Sequence, residues 1–362
     1  MASNESHLDT ANNSISICQE TQAEYAAGFD NATLVQRPGS GYALDFDGLN
    51  DRVLIPSTSA LAFGTNDFTI ETWVKITNNG GNDYGHILMI GGNQSNFTFK
   101  YVESFQRFYI YGLSGAYNSF FTSTANFQFD EWMHVALVRQ SGTAYVYING
   151  VLAHTFFDTD FANQNFGTNT GNLGWGHSTE YSDMQMDEFR VWKTALSQNE
   201  LRSWMCKKVN STHPDYCDLS LYYRFDENTG TTLSDYAGSN IGNLISGPTF
   251  QLSGAAVGDE SAQDYGNGNA TTVTETHPDG SSFTIDNFSG NPDGAHVYLV
   301  DEAPNSTTNS LSGNLEDTRY YGTFIVNGFS PSYSATYNYS GNTNIDGSVN
   351  ENEARLTRRA DN

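Results

Sequence analysis

The chain has 362 residues and a formal net charge of −25, although only 16% of its residues are charged. It lacks the clustered Lys and Arg side chains that phosphate groups require, which excludes nucleic acid and anionic membrane surfaces as partners. No apolar run is long enough to span a bilayer. Residues 1–7 have no hydrophobic signal region, and the chain stops at or just past a predicted strand, so we expect both ends to be cut from a longer protein.

Short alternating segments predict an all-β chain from about residue 40 to residue 250, after a polar tail or linker at 1–24. Residues 68–75 alternate cleanly, with Phe68 and Ile70 on one face and Glu71 and Trp73 on the other. Further strands are predicted at 43–47, 87–90, 97–101, 107–111, 132–139, 144–148 and 219–225. Asn-Gly at 149–150 predicts a tight hairpin, and Ser and Glu at 197 and 200 predict a capping box on a short helix.

A second β-rich unit is predicted at 269–362, after a linker at 251–268. Its candidate strands, separated by Asn, Gly and Pro turns, are 270–275, 282–285, 295–300, 320–326, 333–339 and 354–358. The sequence therefore predicts two β domains. The second is predicted to be a small β-sandwich without a catalytic constellation.

Several ordered motifs in residues 40–250 carry a family resemblance: 45–51 (DFDGLND), 68–74 (FTIETWV), 132–136 (WMHVA), 147–150 (YING), 186–192 (MDEFRVW) and 195–197 (ALS). Together they resemble the laminin G-like, concanavalin A-like jelly-roll family that is common in bacterial secreted proteins. The resemblance implies a concanavalin A-like jelly-roll sandwich over 25–250, followed by the second small β-sandwich. The segments YYGTF, ATYNY and LTRRAD of the second unit resemble modules of surface proteins exported by Bacteroidetes-type bacteria.

The acidic turn of the first motif is a candidate calcium site. Asp47, Gly48, Asn50 and Asp51 can supply carboxylate, amide and carbonyl oxygens within one bend, which are the ligands that Ca²⁺ prefers. The resemblance places the first strand beside a late strand, so Asp187 is expected to approach Asp47. The alternative is a turn whose Asp and Asn side chains cap their own backbone amides.

Tyrosines on alternating strands form a candidate sugar-binding face. Tyr109 and Tyr111 share a strand face with Arg107, and Tyr145 and Tyr147 share one in another strand. Tyrosine rings with polar tips suit stacking on pyranose rings. The alternative is that loops cover these tyrosines or that they pack laterally.

A late Gly-rich loop provides a second candidate rim for a ligand, formed by Trp175, His177 and Tyr181. The loop at 173–178 carries no carboxylates and the loop at 91–96 offers only amides. A second calcium site that bridges to ligand, as in pentraxins, is therefore not expected.

Three cysteines are present. Cys206 and Cys217 flank a short polar loop, which favours a local disulfide in an oxidising compartment. Cys18 remains as a free thiol or as the partner of a cysteine outside this sequence.

Hydrolytic activity is not expected, because no strand carries the paired acidic residues of retaining glucanases and no nucleophile elbow is present. The sequence favours a non-catalytic, calcium-binding module of a larger extracellular or cell-surface protein that recognises glycan or another surface in adhesion. The alternatives are a purely structural spacer without a ligand of its own and an accessory module of a polysaccharide-degrading enzyme.

Overall fold

The computed structural model describes residues 7–9, 14–19, 23–29, 41–78, 84–91, 97–112, 118–120, 127–266, 268–302, 319–348 and 354–360. Strands dominate these residues, which confirms the all-β prediction. The strands before residue 200 are β1 (His7–Asp9), β2 (Ser14–Gln19), β3 (Ala23–Phe29), β4 (Tyr42–Asp47), β5 (Arg52–Thr58), β6 (Phe68–Ile76), β7 (Tyr84–Ile90), β8 (Phe97–Val102), β9 (Arg107–Gly112), β10 (Asn118–Phe120), β11 (Trp132–Gln140), β12 (Thr143–Ile148), β13 (Val151–Phe157), β14 (Asn169–Leu173), β15 (Trp175–His177), β16 (Glu180–Tyr181) and β17 (Asp183–Trp192).

The later strands are β18 (Leu219–Tyr223), β19 (Thr232–Leu233), β20 (Gly242–Ile245), β21 (Thr249–Leu252), β22 (Glu260–Asp264), β23 (Thr272–Thr276), β24 (Ser282–Ser289), β25 (Gly294–Val300), β26 (Tyr320–Val326), β27 (Ser332–Asn338) and β28 (Ala354–Ala360). The α-helices of the described chain are short: α1 (Thr159–Asn163) and α2 (Gln198–Trp204). Neither is long or apolar enough to cross a membrane.

The chain divides into two compact units. The sandwich unit comprises Tyr42–Leu201 and Val209–Ala255, and the terminal unit comprises Met1–Gly41, Arg202–Lys208 and Ala256–Asn362. The terminal unit therefore takes in both ends of the chain, whereas the sequence analysis placed a tail at 1–24, a first domain at 25–250, a linker at 251–268 and a second domain at 269–362.

Two antiparallel sheets form the sandwich unit. Sheet A has the strand order β10-β9-β8-β7-β14-β5-β20-β19, and sheet B has the order β13-β12-β11-β6-β17-β4-β21 with β18 also paired to β17. Alternate residues of both sheets point into one apolar core, which includes Ile70 and Val74 of β6 and Phe99 and Tyr101 of β8. The residues between them, such as Glu71 and Lys100, consequently belong to the outer faces of the two sheets.

Local signals in the sequence correspond to local structure. Asn149 and Gly150 have φ values of 51° and 70° between β12 and β13, which is the positive-φ pair of a tight hairpin turn. Ser197 N donates to Glu200 Oε2 and Glu200 N donates to Ser197 Oγ, so the predicted capping box is formed at the start of α2.

The terminal unit consists of two five-stranded sheets, ordered β1-β2-β27-β24-β23 and β22-β25-β26-β3-β28. Residues near the N-terminus contribute the strands β2 and β3, which pair with β27 and β28 respectively. The expectation of an aperiodic tail at 1–24 is therefore wrong over β2, because its partner strand β27 lies more than 300 residues along the chain and gives no local signal.

The predicted disulfide does not form in the structure. Cys206 is buried and Cys217 is exposed, so the two side chains occupy different environments. The side chain of Cys18 lies outside the described part of the molecule.

The outer face of sheet B carries a buried cluster of charged side chains around Glu71. Trp192 Nε1 donates to Glu71 Oε1 at 2.9 Å, His134 Nε2 lies 3.1 Å from Glu71 Oε2, and Arg190 Nη1 lies 3.6 Å from Oε1. Arg190 Nη2 also donates to Glu188 Oε2 at 2.5 Å. Burial by itself raises the pKa of Glu71, but the close contact with His134 and the charge of Arg190 outweigh it and lower that pKa to about 2.

Replacing Glu71 with Gln should destabilise the sandwich unit by about 3 kcal/mol at pH 7, because the buried Arg190 then loses one of the two carboxylates that pair with it. The folded-state pKa of Glu71 lies below its unfolded value, so this carboxylate stabilises the fold above pH 4.5 and loses its effect as the pH falls towards 2. Urea unfolding of the wild type and E71Q should therefore converge at low pH. The exposed Glu131→Gln is the control, and an equal loss of stability in E131Q would contradict the assignment.

Candidate functional site

A pocket of about 230 Å³ lies on the outer face of sheet A, under the hairpin β15–β16. Strands β7, β8 and β9 form its floor and the hairpin forms one wall. Its lining residues are Tyr84, His86, Met89, Phe97, Thr98, Lys100, Tyr109, Tyr111, Gly112, Gly176, His177 and Glu180. The pocket thus combines several aromatic rings with a few polar groups, which is the usual composition of a small-molecule site.

The antiparallel register aligns the polar floor residues in rows across the strands. Lys100 of β8 lies opposite Tyr109 of β9 on one side and opposite His86 of β7 on the other. In the next row, Thr98 lies between Tyr111 and Met89. Because alternate residues of each strand enter the core, these rows are the positions that must face outward.

The carboxylate of Glu180 connects the hairpin to the floor of the pocket. Its Oε2 atom lies 2.8 Å from His86 Nε2 and 3.3 Å from Lys100 Nζ. The Lys100 ammonium also lies 4.2 Å from the ring centroid of Tyr84, 5.7 Å from that of Tyr109 and 6.0 Å from that of Tyr111. Cation–π attraction and the ion pair hold the lysine head among the three tyrosines.

Burial determines the protonation of His86. It lowers the pKa of His86, and the nearby charge of Lys100 lowers it further, against the opposing effect of Glu180. The imidazole is therefore neutral at pH 7. Burial tends to raise the pKa of Glu180, but the hydrogen bond from His86 and the charge of Lys100 outweigh burial and keep that pKa below its usual value. Glu180 is consequently ionised and accepts a hydrogen bond from Nε2–H of His86.

Two glycines allow the hairpin to lie close to the sheet. A Cβ atom on Gly176 would lie 2.1 Å from Nδ1 of His86, and one on Gly174 would lie 2.4 Å from the ring of Phe46. Gly174 also has a φ of 77°, which favours glycine. Gly174 N donates to His86 O, and Ser182 Oγ accepts from His86 N, which anchors both ends of the hairpin to β7.

Residues 46–202 match the model of the concanavalin A-like lectin/glucanases superfamily. Because of this match we call the sandwich unit, which contains the segment, the laminin G-like domain. The matched residues include most strands of sheets A and B and the hairpin beside the pocket. A comparison with curated protein sequences finds no match.

Solved structures similar to this chain include carbohydrate-binding proteins. A putative carbohydrate binding protein from Bacteroides ovatus is 19% identical, with a TM-score of 0.47, over 60% of this chain and 62% of its own length. A heptameric pentraxin from Limulus polyphemus is 17% identical, with a TM-score of 0.39, over 45% of this chain and 81% of its own. The module named CBM40 of a Ruminococcus gnavus sialidase is 16% identical, with a TM-score of 0.35, over 44% of this chain and 94% of its own.

The laminin G-like domain brings only some of the predicted ligand residues together. Tyr109, Tyr111 and His177 line the pocket. Tyr145 and Tyr147 belong to β12 of sheet B, so the prediction of one tyrosine face is wrong: the two pairs of tyrosines lie on different sheets.

The remaining predicted ligand residues lie outside the pocket lining. Arg107 is at the start of β9, and Trp175 and Tyr181 pair across the hairpin with ring centroids 6.3 Å apart. The guanidinium of Arg52 lies 4.7 Å from the centroid of the Trp175 ring. The predicted loop at 91–96 falls largely outside the described residues.

The acidic turn lies on sheet B, where β4 pairs with β17. Asp183 lies opposite Asp47, whereas Asp187 lies opposite Trp73 of β6. The carboxylate of Asp187 is buried and accepts from Ser253 Oγ and Glu188 N. The prediction that Asp187 approaches Asp47 is therefore wrong, because Asp187 lies four positions further along β17 than Asp183, the residue opposite Asp47.

The turn itself shows the self-capping arrangement, one of the two alternatives that the sequence left open. Asp47 Oδ1 accepts from the backbone N–H groups of Leu49 and Asn50, which is the self-capping arrangement. Asp51 is only 4% exposed, and burial followed by repulsion from Asp47 and Asp45 raises its pKa. Among the described residues, no three acidic, histidine or cysteine side chains are arranged as a metal centre.

Sequence reasoning missed Tyr84, His86, Lys100 and Glu180. Lys100 had a usable signal, because it follows Phe97, Thr98 and Phe99 in strict alternation and is one of only 16 Lys and Arg residues in the chain. Glu180 had none, since its role depends on the hairpin folding back over β7 and β8.

Replacing Gly176 with Ala should destabilise the laminin G-like domain by about 1–3 kcal/mol, because the added methyl group overlaps the His86 ring. Gly167 is a matched control, since a Cβ there meets nothing within 4 Å. Urea unfolding should show a change within about 0.5 kcal/mol for G167A. Equal stabilities of G176A and G167A would show that the hairpin does not rest on His86.

Proposed function

We propose that the laminin G-like domain is a carbohydrate-recognition module and that its glycan site is the pocket under the hairpin β15–β16. The observation that carries this proposal is the combination of Tyr84, Tyr109 and Tyr111 with the Lys100–Glu180 ion pair in one small pocket. Sugar C–H groups stack on aromatic faces, and sugar hydroxyls need both donors and acceptors close to those faces. The pocket provides both within a volume of about 230 Å³.

The description of the matched superfamily names lectins as well as glucanases, which agrees with this proposal. We infer binding without hydrolysis. In support, Glu180 is the single carboxylate among the described lining residues, whereas most glycoside hydrolases place two carboxyl groups about the scissile bond. Reducing-sugar release from a polysaccharide would contradict this inference.

The wider role that we propose is that of an extracellular or cell-surface adhesion module within a larger protein. The acidic composition with few Lys residues suits such a location. The laminin G-like domain would bring the parent protein to polysaccharide or to a glycosylated surface, and the terminal unit would act as a connecting module.

A glycan array with purified protein tests the binding proposal. Tyr111→Ala should lower the affinity for the bound glycan at least tenfold, because it removes one stacking surface from the pocket. Tyr145→Ala is the matched control, since Tyr145 is also half-buried but lies on sheet B. A silent array would favour the spacer function, and equal losses in both variants would place the site elsewhere.

We also propose that Ca²⁺ binds at the acidic turn. Asp183 lies opposite Asp47, and Asp51 accepts a hydrogen bond from Asp47 N, so on binding these three carboxylates would close around the ion, with backbone carbonyls and water completing the six to eight oxygen ligands that calcium prefers. In support, the carboxylates repel one another: burial and then the charges of Asp183 and Asp47 raise the pKa of Asp45. A bound cation would offset this repulsion and stabilise the junction of β4 with β17.

Addition of Ca²⁺ should raise the Tm of the wild type, because an ion that binds only the folded state stabilises that state by mass action. The increment should vanish in Asp51→Asn and persist in Asp187→Asn, although both variants start from a lower Tm. Differential scanning calorimetry with Ca²⁺ and with EDTA measures both effects. An unchanged wild-type Tm, or an increment lost only in D187N, would contradict the assignment of the site.

A further inference from the structure

We infer that the pocket selects neutral pyranoses and that Glu180 is the residue that excludes acidic sugars, an inference that rests on the proposed glycan binding. The relevant observation is the exposure of the Glu180 side chain. It is 26% exposed, whereas those of His86 and Lys100 are 3% and 11% exposed. Of these three side chains, Glu180 is therefore the most accessible to a ligand in the pocket.

The free hydrogen-bonding capacity of Glu180 is that of an acceptor. Its Oε2 atom accepts hydrogen bonds from His86 Nε2 and Lys100 Nζ, and no described residue donates a hydrogen bond to Oε1. An ionised carboxylate has no proton to donate. A sugar hydroxyl can donate to Oε1, whereas the carboxylate of a uronic or sialic acid would place a second anion beside it.

Lys100 does not offer an uncompensated positive charge to an anionic ligand. Its ammonium group is already paired with Glu180 at 3.3 Å and lies against the faces of Tyr84, Tyr109 and Tyr111. His86 cannot add a charge, because its Nδ1 atom is buried against Gly176 without an acceptor for a second proton. The formal charges of Lys100 and Glu180 thus offset each other in the pocket.

The rest of the molecule adds to the exclusion of anions. The chain carries a formal net charge of −25, and a field of this sign lowers the local concentration of anionic ligands. A neutral ring avoids this repulsion. It also uses all the features of the pocket at once: a face for the tyrosines, a hydroxyl that donates to Glu180 and a neighbouring oxygen that accepts from Lys100.

An array of neutral, uronate-containing, sialylated and sulfated oligosaccharides tests the inference. Neutral glycans should bind, and each carboxylate-bearing analogue of a bound sugar should bind at least tenfold more weakly. Hits confined to acidic or sulfated glycans would overturn the neutral selectivity but leave glycan binding intact. Absence of any hit would overturn the proposed function itself.

The variant Glu180→Gln separates charge exclusion from a structural role. It should weaken binding of the neutral glycan three- to tenfold, because an amide oxygen is a weaker acceptor, and it should strengthen binding of the acidic analogue. A collapsed pocket would lower both affinities, so a parallel loss would overturn the role assigned to Glu180. Glu103→Gln removes the same charge from the turn between β8 and β9, outside the pocket lining, and should leave the selectivity ratio unchanged.

Discussion

The apolar core shared by sheets A and B is the constraint on which the rest of the laminin G-like domain depends. Each strand of the two sheets gives alternate residues to this core, so the residues between them must be placed on one of the two outer faces. Glu71 of β6 and Lys100 of β8 are both such residues. Their environments differ, because Glu71 pairs with His134 and Arg190 whereas Lys100 pairs with Glu180 in the pocket.

Three groups of carboxylates in the domain differ in burial and in the charges around them. Glu71 is fully buried and is held ionised by His134 and Arg190, so its contribution is to stability. Glu180 is partly exposed and is held by His86 and Lys100, which leaves one oxygen for a ligand. The carboxylates around Asp51 repel one another, and this repulsion is the physical reason to propose a cation there. Depending on its neighbours, a carboxylate thus stabilises the packing, as Glu71 does, or has the role in recognition or metal binding that we propose for Glu180 and Asp51.

The pocket and the acidic turn belong to different sheets, which separates recognition from the proposed calcium site. The ion would stabilise the pairing of β4 with β17, whereas the glycan would contact β7, β8, β9 and the hairpin β15–β16. This separation distinguishes the domain from a lectin in which the metal bridges to the sugar. The selectivity of the pocket would then depend on an ion pair between side chains, Lys100 and Glu180, instead of a metal charge.

The all-β class, the strand alternation, the Asn149–Gly150 hairpin and the capping box at Ser197 can be predicted from the sequence, because these features depend on residues close together in the chain. The strand alternation also indicated Tyr109 and Tyr111 of the pocket, and the Gly-rich loop indicated His177. The other features of the site depend on contacts between distant parts of the chain. Tyr145 shares the alternation of Tyr109 but lies on the other sheet, and strand order has no local signature. Glu180 acquires its role, and Asp183 replaces Asp187 opposite Asp47, because antiparallel register brings together residues that are far apart in the sequence.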